Sequence, residues 1–173
     1  GSASLTATDL AYGDQKLDRL ELAADGDLAA LDFTGKAQGN YYSPFDLTAA
    51  GQLQAGDAET RVTLTQLDGT AIGRPIALGQ ALTILQGPTR RSLSGLDLSL
   101  GPGRLQGNFD QGVDSVQADF TFDELPLDIA EAFDPAVMLD GSLSGRARLS
   151  GPVAAPEGHM DLQVKDFEIE QDS

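Results

Sequence analysis

The chain has 173 residues, 27 of them acidic and 11 basic, for a formal charge of −16, and it contains no cysteine. That length is enough for one domain with its own core, while the acidic balance repels a polyphosphate backbone and argues against nucleic acid as a partner. The missing cysteines remove disulfides, thiolate metal sites and thiol nucleophiles, and no run reaches the roughly 20 apolar residues of a membrane-spanning helix.

There is no secretory leader and no basic amphipathic helix to hold the chain on an anionic bilayer. Gly1-Ser2 reads as an expression scar. The chain stops at Glu170-Gln171-Asp172-Ser173, just after a strand-like run, so residues 3–173 read as a single segment excised from a longer protein.

From the amino end, Ser4 to Ala11 reads as a strand, Gly13-Asp14 as a turn, and Leu17 to Ala24 as a second strand with Leu20 and Leu22 in phase. After a turn at Asp25-Gly26-Asp27, Leu31, Phe33, Gly35 and Ala37 share one face against Asp32, Thr34, Lys36 and Gln38. Gly39 to Pro44 reads as a loop. The next run sets Phe45, Leu47, Ala49, Gly51 and Leu53 inward and closes at Gly56-Asp57. Val62 and Leu64 continue the alternation, Asp68-Gly69 carries a two-residue hairpin signal, and Pro75 within Ile72 to Ile76 points to an edge strand or a break in pairing. Residues 80 to 95 predict a strand in which Leu82, Ile84 and Leu85 lose the clean period, followed by Gly87-Pro88 and the Arg90-Arg91 pair.

The period returns with Leu96, Leu98 and Leu100, a turn at Gly101-Pro102-Gly103, and then Leu105, Gly107 and Phe109. Val116, Ala118, Phe120 and Phe122 form the next strand, against Gln117, Asp119, Thr121 and Asp123. From Pro126 to Phe133 the pattern changes, with Leu127, Ala130 and Phe133 at helical spacing and Pro135 beyond the end, predicting the chain's single short helix.

Residues 139 to 151 alternate without a fault: Leu139, Gly141, Leu143, Gly145, Ala147, Leu149 and Gly151 against Asp140, Ser142, Ser144, Arg146, Arg148 and Ser150. A period of two over that length marks an extended strand with one dry and one wet side. Past a Gly-Pro loop at 151–158, Met160, Leu162 and Val164 share a side, but Phe167 and Ile169 follow on the other parity, predicting a bulge near Lys165-Asp166. Ten to twelve strands joined by short turns, with no crossover helices, make an all-β antiparallel meander.

Sites of chemistry are sparse. Gly101-x-Gly103 precedes a strand rather than the helix a phosphate-cradling loop opens, so it reads as a turn. His159, the one histidine, reads as a solvated strand-end residue. Asp110, Asp114, Asp119 and Asp123 lack the spacing of a compact calcium loop and read as a wet face. Arg90 and Arg91 have two readings, a solvated loop pair or a contact for an acidic partner or lipid headgroup. No catalytic residue, metal ligand or cofactor site is expected, and the chain reads as non-enzymatic. The apolar stripe is then the candidate working surface: Leu96, Leu98, Leu100, Leu105 and Phe109; Val116, Ala118, Phe120 and Phe122; Leu139, Leu143, Ala147 and Leu149; Met160, Leu162 and Val164. Periodicity alone leaves two options, the core of a sandwich or closed barrel, or an open trough that binds hydrocarbon.

The stretch LDGSLSGRARLSGPVAAPEGHMDLQVKDFEI pairs a Gly-rich alternating strand with a Gly-Pro loop, a later Pro-x-Gly and a second strand, and resembles the repeated unit of the TamB family of the AsmA-like superfamily. Leu67-Asp68-Gly69-Thr70-Ala71-Ile72-Gly73-Arg74-Pro75-Ile76-Ala77-Leu78 is similar to the family's recurring L-x-G … G-x-P … L stretch, and Leu125-Pro126-Leu127 to its helix-opening LPL. The resemblance covers about residues 67 to 169; the first 60 residues match in rhythm alone.

What the resemblance implies is an elongated, strongly curved antiparallel sheet, a β-taco or repeating groove, with an apolar interior. It also implies a periplasmic segment of a parent anchored in the inner membrane of a Gram-negative bacterium and reaching toward TamA, an outer-membrane partner of the Omp85 class. Two roles go with the family: sheltering phospholipid acyl chains in transport between the membranes, and assisting outer-membrane β-barrel proteins to assemble, the latter by strand augmentation. The chain has neither the anchor nor the tail that would meet the partner, so those contacts belong to the parent.

Overall fold

The computed structural model describes residues 1–12, 15–27, 29–41, 43–132 and 139–169. The strands are β1 (Ser2–Tyr12), β2 (Gln15–Asp27), β3 (Ala30–Tyr41), β4 (Ser43–Ala55), β5 (Thr60–Ala71), β6 (Arg74–Leu78), β7 (Leu82–Gln86), β8 (Arg91–Leu100), β9 (Gly103–Gln111), β10 (Ser115–Pro126), β11 (Leu139–Pro152) and β12 (Glu157–Ile169). All belong to one 12-stranded antiparallel sheet in chain order, in which β6 and β7 together fill the place between β5 and β8. A 3₁₀ helix at Leu127–Ala132 follows β10. The all-β meander with one short helical element is thus the architecture. β1 and β12 pair with β2 and β11 respectively, at the two ends of the strand order.

Cross-strand partners share a face, and the alternating sequence therefore lays apolar rows across the sheet. Leu5, Leu22, Gly35, Ala49 and Leu67 are successive partners, and Leu78, Leu98, Leu105, Phe122, Gly145 and Leu162 are another such series. A parallel row runs through Leu31, Leu53, Val62, Ile84, Leu93, Phe109, Ala118, Leu149 and Gly158. Register is fixed by this pattern, because a one-residue slip would carry a strand's apolar set to the wet face.

Extra residues interrupt the ladder at several strands: Asp18 in β2, Thr65 in β5, the β8 step between Leu93 and Leu96, the β10 step between Phe122 and Leu125, and the β12 step opposite Gly141. Such bulges bend strands and increase their twist. The bulge expected near Lys165-Asp166 is present, with Asp166 at φ 52°.

Two turn assignments differ from expectation. Gly39 to Pro44 is mostly paired strand, since β3 runs to Tyr41 and β4 opens at Ser43. Asp68-Gly69 lies inside β5, and the hairpin turns instead at Ile72-Gly73, both at positive φ (55° and 65°), the signature of a type I′ turn. Gly69 instead permits β4 to approach, because a Cβ there would stand 1.9 Å from the Asp46 carbonyl oxygen. The short helix falls where the sequence placed it, although Phe133 and Pro135, like the Gly13-Asp14 turn, lie outside the described residues.

Candidate functional site: an apolar trough

All of the expected lining residues fall on the same face. Leu96 and Leu98 of β8, Leu105 and Phe109 of β9, Ala118, Phe120 and Phe122 of β10, and Leu139, Leu143, Ala147 and Leu149 of β11 are half-buried. Met160, Leu162 and Val164 of β12 are exposed by 70, 41 and 49%. Few apolar side chains are fully buried: Leu82, Leu85, Leu100, Val116 and Leu125. A sandwich or closed barrel would bury the inward face throughout, whereas here most of it keeps partial exposure. Leu100 and Val116 are corrections to the expected lining, because at 2 and 9% exposure they are packed and leave no surface for a guest.

Leu100, the partner of Ile76, sits at the end of the sheet to which the 3₁₀ helix returns as a strap. From the end of β10 that helix reaches back to β6, where Arg74 donates from Nε and an Nη to Asp128 Oδ2 at 3.2 and 2.5 Å. Arg74 is paired with Ala71 and belongs to the apolar face by register, so the strap crosses that face. Leu125, at 8% exposure, is packed at the same end. Away from this strap the floor opens. Ala118, Phe120, Ala147, Leu149 and Met160 line a depression of about 350 Å³.

The floor is kept low by glycines. A Cβ on Gly107 would stand 2.2 Å from Phe120 Cδ1, and Cβ atoms on Gly51 and Gly39 would meet Phe33 Cζ at 2.9 Å and Phe45 Cζ at 3.1 Å. The rings therefore lie across glycines of neighbouring strands. Gly145 serves close strand approach: it has φ +139°, and a Cβ would lie 2.1 Å from the Asp161 carbonyl oxygen.

The opposite face is polar. Asp119 accepts from Arg146 and Arg148 at 2.9 and 3.2 Å, Asp110 from Arg90 at 2.9 and 2.6 Å, and Asp46 from Gln38 at 2.8 Å. Asp97 is the one buried charged residue among those described: Arg104 grips its two oxygens at 2.7 and 2.6 Å, and Gly79 packs against it. Hydrogen bonding from the Arg104 guanidinium holds the Asp97 carboxyl below its usual range, against the opposing effect of burial. His159 is exposed, opposite Arg148. Among the described residues no group of three or more His, Cys, Asp or Glu is placed to hold a metal, and no helix is long and apolar enough to cross a membrane.

The lining expected from sequence starts at Leu96, yet Phe33, Leu53, Val62 and Ile84 belong to the same face by register. Their alternation carries that signal. Sequence does not place Arg74 or Arg91 on this face, since the phase is lost between residues 72 and 95. No family model, curated protein or solved structure matches this chain.

Proposed function

We propose that this chain is a non-enzymatic segment of a periplasmic bridge, of the kind the TamB resemblance implies, and that its apolar trough shelters phospholipid acyl chains moving between inner and outer membranes. The observation that carries the reading is a continuous apolar face left partly exposed across successive strands, most of all at β12. Exposed apolar surface on that scale is a feature of interaction sites. At about 4.8 Å per strand the rows extend roughly 50 Å, against about 15 Å for the hydrocarbon of one leaflet. That is the length of a path rather than of a pocket for one chain. Moving an acyl chain of about fifteen methylenes through water costs on the order of 12 kcal/mol at ~0.8 kcal/mol per CH₂, and a dry floor removes much of that barrier.

The test is mass spectrometry of lipid retained by the protein through detergent-free purification. Phospholipid at stoichiometric level is expected; protein free of lipid, and unable to take it up from vesicles, would refute the proposal.

A second reading, assistance to β-barrel assembly by strand augmentation, draws on the edge strand β12, where Met160, Val164 and Phe167 are exposed by 70, 49 and 52%. An added strand would take main-chain hydrogen bonds from such an edge. It predicts binding of outer-membrane β-strand peptides that survives polar substitution of Leu98 and Leu149 on the floor.

A further inference from the structure

Of the described residues that cross-strand pairing places on the apolar face, two are charged, and both are arginines: Arg74 and Arg91. In a chain of net charge −16, pairing places no acidic side chain of the described residues on that face, and Asp128 reaches it from the strap. Arg74 is held by Asp128 under the strap. Arg91 differs. It is exposed, it lies at the other end of the strands, and among the described residues it makes no ion pair, whereas its neighbour Arg90 turns to the polar face and Asp110. Gln86 and Gln111 flank Arg91 as cross-strand partners. At the strand ends a depression of about 310 Å³ is lined by Arg91, Gln111, Thr89, Pro88, Val113 and the Gly87 and Gly112 turns, with Arg90 on its other side. One step inward along the strands the floor turns apolar, at Ile84, Leu93 and Phe109.

From this juxtaposition we infer that the Arg91 rim binds the anionic phosphate headgroup of an amphiphile whose acyl chain lies on the adjoining floor. The inference rests on the trough reading and adds the place at which the headgroup of its lipid is held. Guanidinium suits such a headgroup because it stays charged and presents a planar fork of donors to phosphate oxygens. Gln111, which lines the same depression, offers an amide donor beside it. A headgroup at the rim remains in contact with water while its chain leaves it, which a phosphate placed among Leu98 and Phe120 would not.

The experiment is calorimetric titration of the intact chain, below the micelle concentration, with three probes: palmitoyl lysophosphatidylglycerol, monopalmitoylglycerol and glycerol phosphate. A charge-assisted hydrogen bond predicts that the lysophospholipid binds about tenfold more tightly than the uncharged glyceride. Arg91→Gln should abolish that preference with little change in glyceride affinity, while Arg146→Gln on the polar face should preserve it. Equal binding of the two acylated probes by the unmodified chain, or a preference that survives Arg91→Gln, overturns the rim assignment and leaves the trough intact. Binding of glycerol phosphate as tight as that of the lysophospholipid also overturns it, by making the rim a free-phosphate site. Failure of both acylated probes to bind strikes instead at the trough reading on which the assignment depends.

Discussion

Phe120 lies over Gly107, its cross-strand partner, so closely that a Cβ on the glycine would stand 2.2 Å from the ring. The pairing keeps a large side chain flat on the floor. Gly107→Val should therefore lift the ring into the trough and strain the β9–β10 ladder. Overpacking of this kind costs about 1–3 kcal/mol, read as a lower urea midpoint, and lipid retained through purification should fall. Unchanged stability together with unchanged lipid content would show that the ring has other room.

Leu100 and Leu162 are both leucines of the apolar face, but Leu100 is 2% exposed and Leu162 is 41% exposed. Truncating the first removes packed contacts and opens a cavity, so Leu100→Ala should cost about 2–5 kcal/mol. Leu162→Ala should cost less than about 1 kcal/mol, because little packing is lost at a side chain left open to solvent. Chemical denaturation of both variants checks the contrast. Similar large losses at both would mean that the β12 end of the trough is packed in solution.

Asp97 gives the fold an acid-sensitive contact. Its folded-state pKa lies below the unfolded value of about 3.9, so the stabilisation it provides is complete above that value and is lost as pH falls through the folded pKa. Arg104→Gln removes the hydrogen-bonded guanidinium that lowers this pKa. The stability difference between parent and variant should stay constant above about pH 5 and shrink toward zero below about pH 4. Comparing the two chains at each pH cancels the relief of acidic self-repulsion that both share near the pI of 4.1. A difference independent of pH down to full protonation would assign the effect of Arg104 to packing alone.

Much of this molecule is legible in its amino-acid order because alternation is a local signal with one geometric meaning. Leu139 to Gly151, Val116 to Phe122 and Leu31 to Ala37 each show the face on which they lie, and the change of parity before Phe167 marks a bulge. Turn residues are less readable. Asp68-Gly69 carries the stronger hairpin signature, yet register with Thr48 and Leu47 keeps it within a strand, and Ile72 accepts a positive φ that a β-branched residue rarely adopts. Partners distant in sequence leave no local trace: Arg74 and Asp128 are 54 residues apart, so the strap back to β6 emerges once the strands are ordered. Phase lost across the β6–β7 interruption likewise hides the face of Arg91, which sits among loop-like residues beside an Arg90 that belongs to the other face.

Site-specific photo-cross-linking reads out whether the inward face is open to hydrocarbon in the native chain. A photoreactive side chain placed singly at Leu149 or Leu162 on the apolar face, or at Ser150 or Gln163 on the polar face, reports which surface meets lipid. Cross-linking to phospholipid at Leu149 and Leu162, with none at Ser150 and Gln163, is the predicted result. Equal labelling on both faces, or none at Leu149 and Leu162 in protein that retains its fold, would contradict it.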